Sequence, residues 1–176
     1  MASWSFRFDN IPKASPLTTI VQNPYRGGLC AGHIMKLLKG SGQFAAFRVY
    51  AEAYNLCERY RGFCDYFKRD AGSAVIEAVC QDETKEGIFN FLDELLAIYP
   101  DITGIFVTHT EVYVVGEYLS YTNKKDHIAL IGYDLQEQNT HGLLNGHIDC
   151  IISQRPEYQG YTSVYEIYKS SLLSQK

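Results

Sequence analysis

A doubly wound α/β fold with a mostly parallel sheet is predicted for this chain by three observations. Short apolar runs alternate with amphipathic segments of about 10–15 residues, the rhythm of repeated βαβ units. Runs such as Ile128–Ile131 are apolar throughout, which suits strands buried on both faces. Polar residues also recur just past the carboxyl ends of these runs: Arg59, then His109 and Thr110, then Asp134, then Gln154. Parallel strands put all such ends on one rim, where open α/β sheets bind ligands.

The elements follow in order. Phe6–Asp9 and Leu17–Val21 read as short strands around a Pro-containing turn. Arg26–Lys39 is expected to be a helix with Leu29, Ile34, Leu37 and Leu38 inward. After Gly40-Ser-Gly42, a connector, Gln43–Tyr50 reads as a strand. Asn55 is a candidate cap for a helix to Arg69, with Leu56, Tyr60, Phe63 and Phe67 in one stripe. Arg59 then falls in the first helical turn, where the dipole disfavours a cation, so the position needs a use.

Ala74–Cys80 is the next strand. Asp82 or Thr84 caps the helix after it, whose inner face is Ile88, Phe91, Leu92, Leu95 and Leu96, and Pro100 stops it. Gly104–Val107 is a strand, Val112–Tyr121 a helix, and Ile128–Tyr133 a strand. A short helix around Thr140–Asn145 precedes the strand Asp149–Ser153. Pro156 interrupts the chain before a final helix, Tyr158–Leu173.

Composition narrows the function. The chain has 176 residues, nearly half of them apolar (46%), enough for one well-filled domain. A net charge of −4 supplies no basic field for phosphate, which argues against nucleic-acid binding by this stretch itself. No apolar run reaches the ~20 residues of a membrane helix, and no secretory leader is visible at the start. Five cysteines, an odd number without a C-x-x-C pair, read as reduced thiols in a cytoplasmic protein. The five histidines are scattered, so neither a metal nor another cofactor is expected. The chain has no G-x-S-x-G elbow, no phosphate-binding glycine loop and no dinucleotide fingerprint, so catalysis is not expected.

The rim residues have suitable chemistry for a polar small molecule. A guanidinium at Arg59 offers a planar fork to two hydroxyls or a carboxylate; the plain alternative is a surface pair with Glu58 or Asp82. Asp134 can accept from two vicinal hydroxyls or cap the turn at 135–138. Gln154 both donates and accepts, and its alternative is a hinge bond to backbone. His109 serves equally as a ligand contact or as a strand-end histidine bonded to a nearby loop. Tyr50, Tyr54 and Tyr133 stand near the rim, where a ring can stack on a sugar face.

Several of these segments resemble, in order, the effector-binding region of the lactose-repressor (LacI/GalR) family, kin of periplasmic sugar-binding proteins. Arg59-x-x-Gly62-Phe63 is similar to that family's R-x-x-G-F, and Ile131-Gly-Tyr-Asp134 to its V-G-F-D. Ile151-Ile-Ser-Gln154-x-Pro156 with Gln159-Gly160 resembles its closing strand, crossover and helix. Val21-x-x-Pro-Tyr-x-Gly27-Gly28 looks like V-x-x-D-N-x-x-G-G. Two departures fall at ligand-facing places: Gln22-Asn23 stands where Asp-Asn is common, and His109-Thr110 (or Thr110-Glu111) where Asn-Asp is.

The resemblance implies a clamshell of two α/β subdomains with a ligand between them. Residues 43–152 would be the carboxyl-terminal subdomain, 1–42 a remnant of the amino-terminal one, and 153–176 the crossover and return helix. It implies a cytoplasmic, homodimeric regulator that senses a small polar effector, a sugar above all, and reaches DNA only through a separate amino-terminal domain. The alternative within the same resemblance is a periplasmic or sensor-kinase sugar-binding domain.

Overall fold

The structure, a computed structural model, describes residues 20–49 and 53–173. The chain divides into two compact units: Pro24–Ser153, and Met1–Asn23 together with Gln154–Lys176. The expected strand Phe6–Asp9, the start of Leu17–Val21 and the candidate Tyr50 lie outside the described residues, while Ile20 and Val21 are in no strand.

The larger unit runs α1 (Pro24–Lys39), β1 (Gln43–Val49), α2 (Tyr54–Phe67), β2 (Ala74–Cys80), α3 (Lys85–Ile98), β3 (Ile102–Val107), α4 (Val112–Tyr121), β4 (Ala129–Tyr133), α5 (Glu137–Leu144) and β5 (Cys150–Ile152). All five strands pair in parallel, in the order β2-β1-β3-β4-β5. Side chains alternate across the sheet, as the strand period of two requires. Phe44, Ala46, Phe106, Ile131 and Tyr133 meet Ala31 and Met35 of α1 and Phe63 and Phe67 of α2. Ala45, Phe47, Ile105, Val107 and Leu130 meet α3 and α4 through Ile88, Leu92, Val115 and Leu119. The sheet is therefore covered on both faces, as its apolar strands demand.

Helix α1 lies in the same compact unit as the sheet, and its packing corrects one expectation. Its buried face is Gly27, Gly28, Ala31, Gly32 and Met35, whereas Leu37 and Leu38 are exposed. Close approach explains the rotation. A Cβ at Gly28 would collide with the backbone carbonyl of Arg59, and one at Gly62 with that of Tyr25. Only glycine lets α1 and α2 cross at this distance, and the bulky leucines are left outside.

Helix starts also differ from the expectation in detail. The N-cap of α2 is Ala53, which makes no side-chain cap bond; Asn55 lies inside the helix. Arg59 is consequently beyond the first turn, and the dipole argument for it lapses. At α3 the sequence signal holds, because Thr84 Oγ1 accepts from the Gly87 amide at 3.1 Å and Asp82 Oδ1 from the Thr84 amide at 2.9 Å. Helix α5 begins at Glu137, three residues before the expected short helix.

In the smaller unit, α6 (Pro156–Leu173) begins on the proline itself. Proline is favoured in the first turn because its missing N–H has no helical partner there. Its start is pinned by Gln159 Nε2 donating to the Gln154 carbonyl at 2.7 Å.

Candidate functional site

The chain leaves β1 toward β2 and returns across it to β3, so the connections after β1 and β3 diverge to opposite faces. Such a switch point opens a crevice outside the carboxyl ends of the two strands. Arg59 reaches it from α2, and the Thr108–Glu111 segment from the end of β3.

Arg59 is 3% exposed, so it is not a surface arginine. Its Nη1 donates to the Thr108 carbonyl at 2.7 Å, and its guanidinium lies 3.7 Å over the Tyr133 ring. One cation thus clips the ends of β3 and β4 together through a charge-assisted hydrogen bond and a cation–π contact. Glu58, one of the two partners in the surface-pair alternative, bonds Arg61 at 2.6 Å. Tyr133 is fully buried, with its ring under that guanidinium and its hydroxyl in the space a Gly27 side chain would need. Burial holds the phenol well above its ordinary pKa, and the ring supports Arg59 where a sugar-stacking role was expected.

Asp134 sits at the end of β4 with φ of 68°, a left-handed conformation that aspartate tolerates better than most residues. Its amide donates to the Ile152 carbonyl at 3.1 Å. Its own carbonyl accepts from Asn139 Nδ2 at 2.9 Å. Asn139, unremarked in the sequence, is completely buried and organises the rim. Nδ2 is shared among the carbonyls of Thr110, Tyr133 and Asp134, while Oδ1 accepts from the Tyr113 amide at 3.1 Å. A short amide on α5 therefore fixes the loop after β3, the start of α4 and the end of β4 together. The only clue in the sequence is a lone Asn on a short helix, which resembles any surface amide.

A cleft of about 690 Å³ opens beside this platform, lined by Val49, Ala53, Leu56, Glu83, Thr84, Ile88, His109 and Glu111. His109 is its deepest polar group, 8% exposed, with neither ring nitrogen hydrogen-bonded among the described residues. The loop partner allowed for at this histidine is thus not found. Its Nε2 stands 3.7 Å from a Glu111 carboxylate oxygen, and its ring packs 5.5 Å from that of Phe47. Burial lowers its pKa to about 4 and Arg59 pushes the same way, against the pull of Glu111. A neutral imidazole offers one donor and one acceptor to whatever enters.

Of the described residues among the candidates, His109 is the one that lines the cleft. Arg59, Tyr133, Thr110 and Asp134 form the adjoining rim; Tyr54, at the start of α2, is 47% exposed. Gln154 belongs to the other compact unit. Glu83 and Thr84 were recoverable from the rule that flagged the rest, because they follow the carboxyl end of β2.

The family model of the periplasmic binding protein domain matches residues 5–171. The chain belongs to that family. No curated protein matches it. Among solved structures, a protein assigned as a LacI transcriptional regulator from Bacteroides fragilis is 27% identical, with a TM-score of 0.80 over 94% of this chain and 59% of its own. The sugar-binding protein of a sugar ABC transporter from Bacillus halodurans is 23% identical, TM-score 0.85, over 93% of this chain and 57% of its own. A solute binding protein from Burkholderia graminis, in complex with D-arabinose, is 22% identical, TM-score 0.82, over 98% and 61%. This periplasmic-binding-protein-like chain thus spans less than two thirds of each of these structures, and the two less similar ones speak to its fold alone.

Proposed function

We propose that this chain is the effector-sensing region of a LacI-type transcriptional regulator, cytoplasmic and dimeric, that recognises a small carbohydrate or similar polar metabolite. The observation that carries the reading is His109, a buried neutral imidazole facing a cleft at the sheet's switch point. The cleft is large enough to admit a monosaccharide, and small-molecule sites combine apolar walls with a few placed polar groups in this way. Similarity to the Bacteroides fragilis protein along 94% of the chain favours the regulator over other members of the family.

In this reading a second subdomain closes over the rim, and a ligand held from both sides favours the closed state. It shifts the balance only by its differential affinity for closed and open forms, and that difference moves a DNA-binding domain in the complete protein. Two measurements test it. Calorimetric titration with pentoses and hexoses should find a ligand that His109→Ala weakens by roughly tenfold or more, the loss of a buried polar contact. A gel shift with the complete gene product and its own upstream DNA should respond to that same sugar. Sugar binding without any DNA binding would move the assignment to a transport or sensor-kinase binding protein of the same fold.

A further inference from the structure

The cleft has a charge asymmetry that its sugar-like dimensions do not require. Among the described residues its lining contains two carboxylates, Glu83 and Glu111, and no lysine or arginine. The described cations nearest in sequence are engaged elsewhere: Arg48 pairs with Glu77, Lys85 bonds Glu117 at 2.6 Å, and Arg59 holds the Thr108 carbonyl and the Tyr133 ring. The amino end of α4, which would otherwise favour an anion, is met by Glu111 at its N-cap position; the Glu111 side chain makes no cap bond and is left for the cleft. At α3, the Gly87 amide is taken by Thr84 and the Thr84 amide by Asp82.

Acidic residues alone would only describe a solvated edge. A second observation makes this a recognition surface: His109 lines the same cleft with Leu56 and Ile88, its side chain 9% exposed and both nitrogens lacking hydrogen-bond partners among the described residues. Desolvating a polar ring without a partner is costly, and a polar ligand atom repays it.

We propose that the cleft selects an amine-bearing polyol, such as an amino sugar, with its ammonium group toward Glu83 and Glu111 and a hydroxyl on His109. The proposal rests on the sugar-sensing reading and adds the ligand's charge to it. A phosphorylated or carboxylated sugar meets two like charges, with no lysine or arginine among the described lining residues to offset them, and is rejected. A neutral sugar fits the walls but leaves both carboxylates solvated.

The test uses matched series of equal size and different charge: the 2-amino-2-deoxy forms of glucose, galactose and mannose, the parent hexoses, and the corresponding uronic acids. Each is titrated into the whole chain while the His109 imidazole resonances are followed by NMR. The expected result is that one amino sugar shifts His109 and binds roughly tenfold tighter than its parent, with the uronate weakest. That ratio should shrink as salt is raised, since partly exposed charges are screened. It should fall to about one in the double variant Glu83→Gln, Glu111→Gln, whose fold is checked by its melting temperature.

Two outcomes overturn the proposal. If neutral hexoses shift His109 and the amino sugars show no advantage, or if a uronate binds best, the charge assignment is wrong while the sugar-sensing reading survives. If no member of any series shifts His109 at tens of millimolar, this proposal and the sugar-sensing reading fall together.

Discussion

At the scale of single residues, His109 and Asn139 carry the most weight, and each gives a measurable consequence. Folding lowers the His109 pKa from 6.5 to about 4, so across that interval the unfolded chain binds a proton the folded chain refuses. Stability should therefore rise with pH between about 4 and 6.5 and be level, for this group, on either side. The full contribution is on the order of 3 kcal/mol, lost as pH falls through the window. Urea unfolding at pH 7.5 and 4.5 should show a larger drop for the wild type than for His109→Gln; equal drops would dismiss the effect. Asn139→Ala removes, in a single stroke, a partner of the Tyr113 amide and of three backbone carbonyls, with an expected loss of about 3 kcal/mol in the same assay. A loss under about 0.5 kcal/mol would mean that water replaces the amide without cost. His109 was legible as a strand-end polar residue, because that rule depends only on parallel connectivity. Asn139 was not, because its role depends on three backbone segments meeting in space, which no spacing records.

At the scale of elements, the α1–α2 crossing decides where Arg59 stands. Gly28 faces the Arg59 carbonyl and Gly62 the Tyr25 carbonyl, so each glycine admits the other helix's backbone. Gly28→Ala and Gly62→Ala should each destabilise by about 1–3 kcal/mol, because neither backbone can retreat as a flexible side chain would. Gly160→Ala in α6 is the contrasting case. Its Cβ meets nothing within 4 Å among the described residues, and trading a mid-helix glycine for alanine should stabilise by roughly 0.5–1 kcal/mol. Opposite signs in chemical denaturation would support the crossing; a loss at Gly160 as large as at Gly28 would refute it. The strands were legible to within a residue or two, since apolar runs bounded by turn residues have few other readings. The inward face of α1 was not. Hydrophobicity pointed to Leu37 and Leu38, whereas the burial that matters here is of small residues whose value lies in the volume they lack.

At the scale of the whole molecule, association is the open physical question, and α6 supplies the reason to expect it. Tyr158, Tyr161, Tyr165, Tyr168 and Leu172 are between 44% and 69% exposed and follow one another at steps of three, four, three and four. That spacing keeps them on a single face, and the parallel rings of Tyr161 and Tyr165, 6.0 Å apart, make part of it continuous. An apolar stripe of this length is seldom left in water by a monomer. A homodimer that buries the stripe is the association the proposed function predicts, and this exposure is a second reason to test for it. Light scattering at micromolar concentration should give about twice the 20.0 kDa of one chain and decline on dilution. Tyr161→Ser with Tyr168→Ser should return the monomer mass while leaving helix content unchanged, since both side chains project away from buried contacts. A wild-type chain that stays monomeric under those conditions would show that tyrosine hydroxyls solvate the stripe well enough by themselves.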